Sequence, residues 1–305
     1  MKKVFEGIFP ALVTPMTADE SVDCARLGEF VNYQIESGVH GLIPLGSTGE
    51  YYALGPDERK AVVTTTIEAA AGRVPVLVGT NAGSTREVVD FSQQAEALGA
   101  DGLLLAAPYY SLPTPDELFE HFRMVNDAIG IPIMLYNYPG RTGVDMTPDL
   151  IDRLADLENI QYVKESTGDA TRVSEIIRRS GDKIQVFCGC DTLALESLLM
   201  GAVGWVSGVI NVLPKEHVRL FELACREKDL PAARDLCYRL LPTLSLMEGG
   251  GKYTQFVKAG CELTEHAVGP PRRPLLPATP EEIEQLRQTL GELAAAGPGH
   301  ANSST

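Results

Sequence analysis

Ile160-Gln161-Tyr162-Val163-Lys164-Glu165-Ser166 is the stretch on which the fold turns. It follows a helix-like segment, Pro148–Leu157, and precedes a second one, Ala170–Ser180. Short, apolar in its first half and flanked by helices, it reads as a strand. Side chains alternate along a strand, so Tyr162, Lys164 and Ser166 share one face and Val163 takes the other. An ammonium on a buried strand is costly unless it is paired or gives up its proton. The neutral amine is a nucleophile suited to Schiff-base chemistry. The alternative is an edge-strand lysine whose stem packs while its head reaches water.

Working outward, the same strand-then-helix unit recurs about eight times. Strand-like runs at Ile8–Pro15, Gly41–Gly46, Val76–Asn81, Gly102–Pro108 and Pro132–Pro139 come before Ile160–Ser166, and Ile184–Cys190 and Gly204–Asn211 come after it. Amphipathic helices separate them. Near-continuous apolar strands joined by helical crossovers mean a parallel sheet covered by helices. Eight such units suit a TIM barrel of about 250 residues. A doubly wound sheet is the competing architecture, but no glycine-rich dinucleotide loop follows the first strand. Thr114-Pro115 and Thr147-Pro148 place a capping hydroxyl before a proline in the first helical turn. Glycines at 38, 72, 99, 130, 181 and 201 fit left-handed helix C-caps. The barrel is assigned to residues 1–229. Helices Pro231–Leu246, Lys252–Thr264 and Pro280–Ala295 form a C-terminal extension over 230–296. The small polar segment 297–305 reads as a disordered tail, and its His300 carries no weight.

Bulk properties exclude several classes. The 305 residues are 44% apolar and 22% charged, which suits a globular enzyme with a substantial core. A net charge of −15 argues against a nucleic-acid partner. The densest basic clusters, Arg178-Arg179 and Arg272-Arg273, are too short for such a footprint. No run approaches a membrane span, and Glu6 interrupts any leader-like apolar stretch, so the chain reads as cytoplasmic. The six cysteines show neither zinc-type spacing nor a disulfide scaffold and read as free thiols. The histidines form no HExxH or clustered set, which leaves no metal site, and nothing suggests a flavin or nicotinamide cofactor.

Chemistry in a TIM barrel lies at the C-terminal ends of its strands. The second strand ends in Gly46-Ser47-Thr48-Gly49-Glu50, a tight turn whose amides and hydroxyls can hold a carboxylate; a purely structural turn is the alternative. No lysine follows its second glycine, so a phosphate loop is excluded. Pro108-Tyr109-Tyr110 ends the fourth strand. The fifth ends at Tyr136-Asn137, with Arg141 in the loop beyond. Tyr136, beside the strand of Lys164, can pass protons, especially if bonded to Ser47; core packing is its alternative. Arg141 offers a planar fork for a carboxylate, or a solvated loop charge.

These residues, with Val163-Lys164-Glu165-Ser166 and with Gly189 and Asp191 on the seventh strand, make the chain resemble the dihydrodipicolinate synthase / N-acetylneuraminate lyase family of pyruvate-dependent lyases. The resemblance runs from about Gly7 to about Pro277. It implies that Lys164 forms an imine with pyruvate or another 2-oxo acid. It implies that Tyr136 shuttles protons through Ser47 to Tyr110, which comes from a neighbouring subunit. Thr48 then holds the 2-oxo-acid carboxylate, Gly189 and Val206 line the pocket, and no metal or organic cofactor is needed. Small-molecule substrates and a homotetramer built as a dimer of dimers are implied. Arg141 matches the synthases, where it grips the carboxylate of L-aspartate 4-semialdehyde. The alternatives are a catabolic relative acting on 2-keto-3-deoxy sugar acids, hydroxypyrroline carboxylate or N-acetylneuraminate, and a non-catalytic 2-oxo-acid-binding barrel. Several departures stand out, among them Gly83 where relatives often have asparagine and the added bulk of Trp205 near the eighth strand. Ser47 replaces threonine. Tyr51, Tyr52 and Pro56 alter the position of the lysine-inhibition site. Tyr253-Thr-Gln-Phe256 replaces the usual Asn-Pro-Ile-Pro before Val257-Lys258.

Overall fold

The computed structural model describes residues 4–295. The tail expected at 297–305 lies outside them. Seven parallel strands form one sheet: β1 (Gly7–Pro10), β2 (Leu77–Gly79), β3 (Gly102–Ala106), β4 (Ile133–Asn137), β5 (Ile160–Glu165), β6 (Gln185–Cys188) and β7 (Gly204–Ser207). Their order is β1-β7-β6-β5-β4-β3-β2. The gap between β1 and β2 is filled by residues 41–44. There Leu42 bridges Val76, and Ile43 bridges Ala11. His40 and Ile43 donate their N–H groups to the carbonyls of Ile8 and Pro10 at 2.9 and 3.0 Å. Gly79 donates to Pro44 at 3.0 Å. The sheet therefore closes on itself with eight staves, as the spacing predicts.

The second stave is a bridged segment rather than a strand. Pro44 has no N–H to add to a ladder, and Leu45 turns to φ +58. The stave stops there and releases the chain into the Gly46–Glu50 turn.

Alternation sorts the strand residues into two layers. Phe9, Ile43, Leu77, Leu104, Met134, Tyr162, Phe187 and Val206 fill the barrel interior. Val163 and Leu135 belong to the layer between sheet and helices. Each such buried side chain contributes about 1.5–3 kcal/mol relative to exposure. The Tyr162 hydroxyl, deep in the barrel, accepts from the Phe5 N–H at 3.0 Å. Lys164, two residues on, shares its inward face at the opposite, C-terminal end.

The helix starts are capped as the hydroxyl-proline pairs predict. Thr114 accepts from the Glu117 N–H, and Glu117 reaches back to the Thr114 N–H at 2.7 Å. Thr147 accepts from the Leu150 N–H. Among the six glycines, 38, 72, 99 and 201 take positive φ. Gly130 and Gly181 do not. Gly181 is right-handed, and a Cβ there would stand 2.6 Å from the Ile177 carbonyl, so close approach requires it instead. Beyond the barrel strands lie helices Leu230–Gly249, Tyr253–Leu263 and Pro280–Ala295. Among the described residues, no helix is long and apolar enough to cross a membrane.

Candidate active site

Lys164 stands at the top of β5 and is 5% exposed. Its register partner on β4 is Tyr136, and its Nζ lies 4.2 Å from the centre of that ring. Aromatic faces attract an ammonium without fixing it as a carboxylate would. Among the described residues Lys164 makes no direct ion pair, although its charge reaches the buried Asp191 carboxyl. On its other side Gly189 follows β6 directly. A Cβ at Gly189 would fall 2.7 Å from Lys164 Cε and 1.9 Å from Ser166 Oγ. Only a glycine lets the lysine stem cross that floor.

Neighbouring residues on the outward face clamp the two strand tops. Asn137 Nδ2 donates to Glu165 at 3.1 Å and to Asp145 at 2.9 Å, and Glu165 accepts from the Thr167 N–H at 2.7 Å. Arg172 holds Asp145 by two bonds of 3.0 Å. Burial raises the Glu165 carboxyl above its ordinary range, and the bonds from Thr167 and Asn137 oppose that rise. Alternation put Asn137 and Glu165 outward, but their partners 145 and 172 come from loops and helices that only the fold brings in.

The Gly46–Glu50 turn faces the same mouth, with Thr48 beside Gly208. Gly49 N–H donates to the Gly46 carbonyl at 3.0 Å, and a Cβ on Gly49 would sit 2.8 Å from the Leu12 carbonyl. Thr48 is buried, and Ser47 is half-buried. Below them Glu50 is fully buried and pairs with Lys258 at 2.6 Å. Glu50 also accepts from the Arg272 N–H at 2.7 Å, and the Lys258 Nζ donates to the Pro270 carbonyl at 2.8 Å. The C-terminal segment thus braces the turn.

Between turn and lysine runs a buried network that sequence reasoning missed. Asp191 accepts from Trp205 Nε1 at 3.0 Å and from the Tyr253 hydroxyl. That hydroxyl accepts from the Gly208 N–H at 2.9 Å. Glu248 Oε1 accepts from the Asp191 N–H at 3.0 Å. Burial first, and the Glu248 charge second, raise the Asp191 carboxyl to about 6. Asp191 was quoted for resemblance alone, and Tyr253 as a departure; no spacing links residues 62 apart.

The structure thus brings Lys164, Tyr136 and Gly189 together, with Thr48 beside Gly208 at the end of β7 and Val206 buried on that strand. Two expected residues are exposed, though Arg141 lies within electrostatic reach of Tyr136. Tyr110 is 96% exposed at φ +74, a left-handed conformation that costs a bulky residue about 1–3 kcal/mol. Arg141 is exposed in the turn Pro139–Thr142, with its guanidinium 5.6 Å from the centre of the Tyr138 ring. Among the described residues no cluster of three His, Cys, Asp or Glu side chains could hold a metal ion.

Comparison with known proteins gives a consistent picture. A family model described as the dihydrodipicolinate synthetase family matches residues 4–293. The 4-hydroxy-tetrahydrodipicolinate synthase of Pelobacter propionicus is 44% identical over 238 residues, covering 78% of this chain and 81% of that protein. The one from Methanothrix thermoacetophila is 38% identical over 292 residues, covering 95% and 98%. The dihydrodipicolinate synthase structure from Aquifex aeolicus superposes with a TM-score of 0.91 at 34% identity, covering 96% of this chain and 99% of that one. The Thermotoga maritima enzyme gives 0.91 and 34%, covering 95% and 99%.

Proposed function

The chain belongs to the dihydrodipicolinate synthetase family, and from that premise we propose that it is a 4-hydroxy-tetrahydrodipicolinate synthase condensing pyruvate with L-aspartate 4-semialdehyde. The observation that carries the reading is Lys164: buried, in no direct ion pair among the described residues, and set against Tyr136 at the barrel mouth.

In this reading the Lys164 amine attacks C2 of pyruvate, and the carbinolamine loses water to give a protonated imine. That imine is an electron sink, so a proton leaves C3 and an enamine forms. The enamine carbon attacks the aldehyde carbon of the semialdehyde, whose oxygen takes up a proton. The semialdehyde's amino group then attacks the imine carbon and expels the Lys164 amine, which closes the ring and frees the enzyme. Tyr136 moves these protons, through Ser47 and a Tyr110 supplied by a neighbouring copy. The outward, strained Tyr110 supports that part, because a lone subunit gives its ring nothing to rest on. Thr48 and the amides of its turn hold the pyruvate carboxylate, and Arg141 grips that of the semialdehyde. Gly189 and Val206 line the pocket around the imine. A homotetramer, as a dimer of dimers working in the cytoplasm, completes the proposal.

Borohydride reduction in the presence of pyruvate tests the first step: a stable adduct is expected on Lys164, and an unmodified lysine would sink the imine. A coupled assay tests the second substrate. Product from aspartate semialdehyde supports the synthase. Turnover only of a 2-keto-3-deoxy sugar acid, hydroxypyrroline carboxylate or N-acetylneuraminate would keep Lys164 and replace the condensation.

A further inference from the structure

A 2-oxo acid carries its carboxylate one bond from the carbon that joins Lys164. The two anchors, the lysine and the Thr48 turn, must therefore keep a fixed span for the imine to form. One side chain outside the assigned site ties together the structures behind both. Tyr253 opens the helix Tyr253–Leu263 where the family resemblance expects asparagine. Its hydroxyl accepts from the Gly208 N–H at 2.9 Å and donates to Asp191.

On one arm, Gly208 is pressed between ring and threonine. A Cβ there would lie 2.5 Å from Tyr253 Cε1 and 2.9 Å from Thr48 Oγ1. On the other arm, Asp191 follows Gly189 by two residues, and Gly189 is the floor under the Lys164 stem. One phenol oxygen satisfies both a backbone donor and a buried carboxylate. Removing it leaves each short of a partner, and both are then free to shift.

We infer that Tyr253 is a positioning residue that sets the distance between the imine nitrogen and the carboxylate cradle. The inference rests on the reading of Lys164 as the imine former. Misplacement of one anchor weakens capture of the 2-oxo acid, whereas the second substrate meets an enamine already made.

Tyr253→Phe keeps the ring against Gly208 and deletes only the hydroxyl. The pyruvate concentration that half-saturates borohydride trapping on Lys164, and the pyruvate KM, are expected to rise about tenfold. The semialdehyde KM and kcat at saturating pyruvate should stay within about twofold. A merely structural role would lower the active fraction and move kcat alone. Half-saturation is independent of that fraction, so the readout survives partial unfolding. An unchanged half-saturation, or equal rises for both substrates, overturns the inference. Absence of any adduct in the wild type overturns the Lys164 reading itself and this inference with it.

Discussion

Gly189 matters through an atom it lacks. Adding one methyl would place carbon 1.9 Å from Ser166 Oγ and 2.7 Å from Lys164 Cε, both buried side chains in a packed mouth. Overpacking of that kind costs about 1–3 kcal/mol, and here the yielding group is the proposed nucleophile. Gly189→Ala is expected to lower kcat/KM by about a hundredfold or more while the protein still folds, measured by steady-state assay beside a thermal melt. Asp191 makes a different claim. Its carboxyl is raised from 3.8 to about 6, by burial and then by Glu248, with Lys164 and Tyr253 also facing it. The folded state therefore binds the extra proton between about pH 4 and pH 6, and stability from this group is lost as pH rises through that window. Asp191→Asn should gain in melting temperature relative to wild type on going from pH 4 to pH 7. A gap that stays constant with pH would contradict the raised value. Lys164 was readable as inward-facing because period-two alternation with Tyr162 and Val163 is a local property. Tyr253 was not, since its hydrogen bonds join a helix to two distant strand ends.

At the scale of elements, the strand tops are held by partners that cross the outer surface, and the turn after the second stave by the C-terminal segment. Lys258 and Glu50 are both almost fully buried and 2.6 Å apart. Burial lowers the Lys258 ammonium below its ordinary range, opposed by the Glu50 charge. Lys258→Met leaves the carboxylate buried with Arg272 N–H as its remaining donor, a loss of about 3–5 kcal/mol. Equilibrium urea unfolding should show that loss, and Glu50→Gln combined with Lys258→Met should recover part of it. Helix starts were legible because Thr-Pro capping signals are local. The weak second stave was less so. Its apolar run predicts a strand, while Pro44 and the left-handed Leu45 let it pair only at single residues.

For the whole molecule, the closed ring of eight staves was legible from repetition alone, because each unit carries its own periodicity. What repetition cannot show is a second copy. Tyr110 is almost fully exposed on a single subunit, and the proposed relay takes this residue from a neighbour. Subunits carrying Lys164→Ala and subunits carrying Tyr110→Ala are then each defective, yet a mixed pair contains one complete site. Random co-assembly in dimers should return about a quarter of wild-type activity per subunit, measured by steady-state assay. No recovery on mixing would place Tyr110 outside the relay.

The brace under the Ser47-Thr48 turn also has a consequence in time. Glu50 takes a hydrogen bond from Arg272, 222 residues later in the chain. Synthesis runs from the N-terminus, so the first staves emerge with this acid still facing water. Closing the ring over it before Lys258 arrives would bury an uncompensated charge. A nascent chain halted after β7 has every strand of the barrel and still lacks the cation that lets the Gly46–Glu50 turn settle. Completion of the turn thus waits for residues that lie well beyond the last strand in the sequence.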